Sequence, residues 1–326
     1  MNRKVRPDEL NQLYDDGLQG WIWNEEVKET WSEFCAEEPD LYAVNASIEG
    51  LHEKRPRVLL YLAREKYDPG AFTKEAQQGP DCTSHGDRTA KDISRCVEIN
   101  NGDSEVYYKR SATEPCYGAR GSSGDGMDPT RAAKFSKEVG FLFREPYSDS
   151  SNGVSLDLTK YNFNIGDNWG RTGTPENIKA ICRKHNVGQT LVPKSVEQAL
   201  DCMAAGKAGH SGQRWGTPSR QNKDGINRLG PKRWNHDMAH GGYDLTEEFF
   251  KEQVAFVHNS WGPDWLEPNP IWLEHEDVYG PWIPGTIVVP LDEFEDFFVN
   301  TGSIHYYSDV KGFPISEIPY TRSGVL

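Results

Sequence analysis

Near the start of the chain, apolar residues recur at helical spacing. Leu10, Leu13 and Tyr14, then Val27, Trp31 and Phe34, predict one or two short helices within residues 7–38. RVLLYLAREKYDPG (57–70) is a short apolar run closed by Asp-Pro-Gly, which predicts a strand or a helix ending in a turn. After Cys82, the stretch TSHGDRTAKDISRCVEI places Ala90, Ile93 and Val97 on one helical face, with Gly86 as a flaw near its start. A glycine-rich loop, YGARGSSGDGMDP (117–129), leads into an amphipathic helix, TRAAKFSKEVG, that stops at Gly140. ENIKAICRKH and SVEQALDCMAAG, within 176–206, repeat the helical pattern. Beyond them the pattern shortens to FVHNSW, GTIVVP and SIHYYS, strand-length apolar runs set between Gly, Pro and Asn. A helical half followed by a strand-rich half predicts an α+β fold, and no internal repeat is visible.

Composition narrows the function classes. The chain has 326 residues with 10 Trp, 14 Tyr and 13 Phe, enough for a sizeable packed core. Its formal charge of −14 would repel phosphate backbones, which argues against a general nucleic-acid partner. No apolar run approaches the roughly 20 residues needed to span a bilayer, so no membrane partner is expected. The basic start MNRKVRPDELNQLYDDG lacks the apolar stretch of a secretion signal. Six scattered cysteines without a C-x-x-C pair suit reduced thiols, not a disulfide framework or a zinc quartet. The expected location is therefore the cytoplasm, or a virion assembled in one.

The stretch QQGPDCTSHGD (77–87) places Cys82 where a Gly-Pro turn gives way to a helix. A helix N-terminus and a nearby imidazolium would ionise such a thiol. A thiol hydrolase also needs a histidine as base and then acid, a group that orients it, and an oxyanion donor. By itself Cys82 reads more simply as a small core residue. The downstream segments RWNHDMAHGGYD (233–244) and FVHNSWGPDW (256–265) supply the missing residue types.

Taken in order, these segments resemble the papain-like cysteine peptidases, in particular divergent members encoded by bacteria and their phages. The resemblance implies Cys82 as nucleophile and His236 as base, since His236 stands six residues before Gly242 and seven before Tyr243. It implies Asn259, in Asn259-Ser260-Trp261-Gly262, as the orienting amide, and Trp261 as its shielding ring. Gln78 is the implied oxyanion donor, and Gly124 and Gly126 mark the edge of a substrate cleft. The matching segments run from about 77 to 265. The implied fold is a papain-like pair of lobes within residues 71–326: a helical lobe over about 71–200 and a β-rich lobe over about 201–326. Residues 1–70 form an extension, either a propeptide or an attachment region. A polypeptide or a peptide cross-link is the expected substrate, virion proteins are candidate partners, and no cofactor or metal is implied.

The match also departs from the family. Gln78 lies closer to Cys82 than the pattern asks, leaving Gln77 as an alternative. A gapless match from Gln78 puts Ser84 at the nucleophile, and Thr83 replaces the usual aromatic. His236-Asp237-Met238-Ala239-His240 is a near miss to a helical zinc motif, a metal-dependent alternative weakened by Gly241-Gly242. His240, His85 and His258 read as strand or helix residues near the cleft, and Cys96 and Cys116 as core. The remaining rival is a papain-like subunit that binds or builds without catalysing.

Overall fold

The structure is a computed structural model and describes residues 20–102, 108–216, 221–230, 233–300 and 302–310. Its spine is a 20-residue helix, Cys82–Asn101, ended by Gly102 at φ 74°. Five helices in the described residues follow the spacing read from sequence: Glu25–Glu37 (α1), the spine (α3), Pro129–Glu138 (α4), Glu176–Cys182 (α6) and Val196–Ala204 (α7). Between them lie Tyr61–Tyr67 (α2) and Phe163–Thr172 (α5). Local chemistry sets several starts. The side chains of Asn24, Asp128 and Ser195 accept main-chain N–H groups at the beginnings of α1, α4 and α7, and Pro129 fills the first turn of α4. The expected helix around Leu10 and Tyr14 lies outside the described residues.

The strands are Arg57–Leu59 (β1), Pro146–Asp149 (β2), Val154–Asp157 (β3), Val187–Leu191 (β4), Gly209–Gln213 (β5), His236–Asp244 (β6), Val254–His258 (β7), Thr286–Pro290 (β8) and Ser303–Val310 (β9). Seven of them form one antiparallel sheet in the order β4-β9-β5-β6-β7-β8, with β1 also paired to β6. β2 and β3 make a separate hairpin among the helices. The run 57–70 thus holds both of its expected elements, β1 and then α2. Two strands of the sheet come from outside the segment expected to supply it: β1 pairs Leu59 with Gly242, and β4 pairs Leu191 with Tyr306. α1 reaches the same sheet through Trp31, whose ring centroid lies 5.1 Å from that of His305 on β9.

α3 packs across β5, β6 and β9, and this contact positions the site. Ala90, Ile93 and Val97 are buried as their spacing predicts. So are Asp87, Arg88, Lys91, Asp92 and Arg95, because the helix is enclosed by other elements on nearly every side. Buried charge is tolerable only when paired. Lys91 reaches Asp87 at 2.6 Å, Arg88 pairs with Glu75, and Arg64 of α2 lies 3.5 Å from Asp92. Gly86 is no flaw in this helix. A Cβ there would fall 2.1 Å from the Asp237 carboxylate, so the glycine lets β6 approach α3 one turn beyond Cys82.

Candidate active site

Cys82 is the first residue of α3 and is fully buried. Its sulfur accepts the Gly20 main-chain N–H at 3.2 Å, and the Asp237 main-chain N–H also donates to it. Burial pushes the thiol pKa up, the nearby Asp237 and Asp81 carboxylates push the same way, and the two N–H donors oppose them. In this arrangement the group is a thiol, not a thiolate. Asp81 does not cap α3; its carboxylate accepts the Tyr161 hydroxyl at 2.7 Å and lies 3.4 Å from His85 Nε2.

His236 opens β6, next to the residue whose N–H meets the sulfur. β6 and β7 pair with Ala239 opposite His258, which carries Asn259 alongside His236. The imidazole Nε2 lies 2.7 Å from Asn259 Oδ1. That same oxygen accepts the Ser260 N–H at 2.6 Å, which fixes the orientation of the amide. Nε2 therefore carries the hydrogen, and the lone pair sits on Nδ1. Nδ1 is buried with no hydrogen-bond partner, so none joins it to Cys82. Burial lowers the His236 pKa to about 4, His85 pushes the same way, and the Asn259 bond opposes them. Trp261 covers the ring with centroids 4.6 Å apart, and Trp234 and Trp265 lie 5.0 and 5.5 Å from Trp261. The structure thus brings His236, Asn259 and Trp261 together and sets Cys82 against Asp237, the next residue along β6, while burial favours the neutral form of both Cys82 and His236.

The two glutamines part company. Gln78 is exposed, and its main-chain N–H meets the Tyr161 hydroxyl at 3.3 Å. Gln77 is buried. Its side chain donates to the Gly79 carbonyl and accepts the Ser260 hydroxyl at 2.8 Å, tying the loop before Cys82 to the Asn-Ser-Trp-Gly loop. The glycines also separate. Gly124 is exposed, whereas Gly126, at φ 84°, would put a Cβ 2.7 Å from the Gly20 carbonyl oxygen. Ser84 does not replace Cys82 at the helix start, since its hydroxyl donates to the Asp81 carbonyl at 2.8 Å.

The groove beside Cys82 is filled by the chain itself. Trp21 forms a parallel bridge with Met127: Met127 N–H donates to the Gly20 carbonyl at 2.7 Å, and Ile22 N–H to the Met127 carbonyl at 3.3 Å. On the other side, Trp21 N–H reaches the carbonyl of Asn235, the residue before His236, at 3.4 Å. The strand turns the Gly20 N–H towards the sulfur, and the Gly20 carbonyl is engaged by the Met127 N–H. Gly20 is required there, because a Cβ would lie 1.8 Å from the Pro80 carbonyl oxygen. The Trp21 side chain is buried against Gly212, where a Cβ would come within 2.2 Å of the indole Nε1, and it stacks on Trp23 at 4.8 Å. Sequence reasoning missed this contact and the roles of Met127, Trp234 and Gly212. The clustered Trp residues near the N-terminus were the only available signal.

His240 and His258 fall away from this group, whereas His85 stays near it, 3.4 Å from Asp81. The segment 236–240 is strand, not helix, so His236 and His240 stand roughly 13 Å apart along it. That spacing removes the helical two-histidine geometry on which the metal alternative rested. His240 is hydrogen-bonded within the core to Ser211 at 2.9 Å and Tyr306 at 3.2 Å. His258 turns to Thr286 at 3.0 Å and lies against Phe72. Cys96 and Cys116 are buried. Among the described residues no helix is long and apolar enough to cross a membrane.

No protein-family model matches the sequence, and no curated protein does. Among solved structures, xylellain, a cysteine protease from Xylella fastidiosa, is similar over 94% of this chain and 97% of its own, with TM-score 0.51 and 12% identity. Procathepsin B S9 from Trypanosoma congolense matches over 97% of this chain and 99% of its own, with TM-score 0.49 and 12% identity. The proform of Amb a 11, a ragweed pollen cysteine protease, matches over 80% of this chain and 65% of its own, with TM-score 0.44 and 17% identity. The α+β architecture, with α3 seated against the antiparallel sheet, is the papain-like fold of cysteine proteases.

Proposed function

We propose that the chain is a cysteine peptidase held latent by its own residues 20–22. The observation that carries this reading is the His236–Asn259 bond of 2.7 Å. It leaves the Nδ1 lone pair free beside the peptide whose N–H touches the Cys82 sulfur. Once the segment withdraws, Nδ1 takes the Cys82 proton and the thiolate attacks an amide carbonyl carbon. The oxyanion is met by main-chain N–H at the start of α3 and by a glutamine amide, Gln78 on the sequence match or Gln77 on its burial. His236 then gives its proton to the leaving amine as the C–N bond breaks. Water, deprotonated by His236, attacks the thioester, releasing the acid and restoring the thiol.

Residues 20–22 also suggest the substrate class. The seat over Gly212 holds an indole, and Met127 and Asn235 offer main-chain groups to an extended strand. A polypeptide with a large aromatic side chain fits this groove. The test is hydrolysis of fluorogenic peptide amides by the Trp21→Ala protein, comparing tryptophan with alanine at each position before the scissile bond. Hydrolysis that prefers tryptophan and is lost in Cys82→Ala supports the reading. Absence of hydrolysis with every peptide argues for a non-catalytic subunit.

A further inference from the structure

At the far end of α3, 15 residues and therefore roughly 22 Å along the axis from Cys82, a second cavity opens beside Val97. Its volume is about 560 Å³, within the range of roughly 300–1,000 Å³ typical of small-molecule sites. Val58 of β1, Leu62 and Ala63 of α2, Val97 of α3 and Val278 make its walls apolar. Three cations line it as well.

Those cations are not equivalent. Arg57 is committed to Asp244 at 2.7 Å and Glu248 at 2.9 Å. Arg55 and Lys66 are exposed, which places them at the mouth, whereas Val97 is buried. Arg55 donates to the Ala204 carbonyl at 2.7 Å, and Lys66 to the neutral Asn100 side chain at 2.6 Å, with its Nζ 5.3 Å from the Tyr67 ring centroid. Neither has a carboxylate partner among the described residues, in a chain whose formal charge is −14. The nearby acids are turned elsewhere. Glu65 accepts the Gly70 N–H at 2.8 Å, and Glu98 accepts those of Asp309 and Val310 at 2.8 and 3.1 Å.

An apolar chamber with two uncompensated cations at its mouth selects a ligand with one greasy and one anionic end. A cationic amphiphile would be repelled, and a small inorganic anion would leave the walls wet. We propose that this cavity binds an aliphatic monocarboxylate, its chain among Val58, Ala63 and Val97 and its headgroup between Arg55 and Lys66. The site is independent of the peptidase reading.

The test is calorimetric titration of the full-length protein with dodecanoate below its micellar concentration, with dodecylamine as comparator. The expected result is saturable binding of one dodecanoate per chain and none of dodecylamine. Arg55→Glu/Lys66→Glu, two exposed changes that leave the core intact, should weaken it at least about tenfold, the signature of a charge-assisted contact. Ala63→Phe, which fills the chamber, should abolish it. Unchanged circular dichroism and Tm would show that both variants fold. The proposal is overturned if the wild type fails to bind dodecanoate, if dodecylamine binds equally well, or if neither variant alters the affinity.

Discussion

The Gly20 main-chain N–H points at the Cys82 sulfur from 3.2 Å, so the thiol is held by a residue 62 positions earlier in the chain. A neutral thiol under a hydrogen-bond donor, beside an imidazole with an unused Nδ1, is an assembled but silent pair. On the proposed reading the silence has a local cause, since the sulfur is fully buried beneath the segment.

Displacing that segment should therefore expose it. Gly20→Ala puts a methyl group where the Pro80 carbonyl oxygen already lies 1.8 Å away, with no flexible side chain to yield. We expect chymotrypsin to cleave after Trp21 in Gly20→Ala much faster than in the wild type, as seen by mass spectrometry. Equal protection of this bond in both proteins would mean that the segment is not held by the groove.

Asn259 sets the imidazole tautomer through Oδ1. Asn259→Ala leaves the Nε2 hydrogen unpaired in a buried setting and frees the ring to turn. In a Trp21→Ala background, peptide hydrolysis should fall by roughly 100-fold or more, the scale of penalty that follows a wrong tautomer. A kcat within a factor of about 3 of the parent, well inside that scale, would remove Asn259 from the machinery.

Gly86→Ala tests how closely α3 and β6 fit. The added Cβ would meet the Asp237 carboxylate at 2.1 Å, and Asp237 is itself held by His210 at 3.0 Å. Overpacking of this kind costs about 1–3 kcal/mol, so the Tm should fall visibly. An unchanged Tm would show that Asp237 can move aside.

Much of this architecture can be read from the sequence, but not all of it. The helix after Cys82 and the strands FVHNSW, GTIVVP and SIHYYS follow from spacing, because each buries a regular set of side chains. The sequence gives His236 and Asn259 by motif, and register then brings them together. Gly86 misled, since a glycine in a helix reads as a propensity cost when its reason is a neighbour 151 residues away. The bridge between Trp21 and Met127 had no local signal either, for a pairing of one residue with another 106 positions on leaves no period to detect. Gln78 was the glutamine that fitted the motif, yet Gln77 is the buried one, because the extra tertiary tie is to Ser260.

Acid should destabilise the folded chain. Burial lowers the pKa of His236 to about 4 and of His258 to about 3, and it lowers His240 and His305 well below the usual histidine value. These groups must stay neutral to remain folded. Their contribution is complete above the unfolded value of about 6.5 and is lost as pH falls from there towards 4. Asp237, raised to about 6 by burial, opposes them, because it binds its proton more readily folded. So does His210, where the Asp237 carboxylate overcomes burial and raises the pKa. Asp128, raised by burial, is a third such group, but the four histidines outweigh these three, so the Tm should be lower at pH 5 than at pH 7. A Tm that holds or rises at pH 5 would mean the histidines are solvated.

The central claim is that Cys82 and His236 form a working couple once residues 20–22 are out of the way. The most direct measurement is the pH dependence of Cys82 alkylation by iodoacetamide, read by mass spectrometry, in wild type, Trp21→Ala and Trp21→Ala/His236→Ala. Trp21→Ala should speed alkylation of Cys82 selectively, on the order of 100-fold, since removing a buried Trp side chain costs about 3 kcal/mol or more. Reaction should begin well below pH 8, and His236→Ala should abolish that low-pH reactivity. If Cys82 reacts no faster in Trp21→Ala than in the wild type, or reacts identically without His236, the peptidase reading is contradicted.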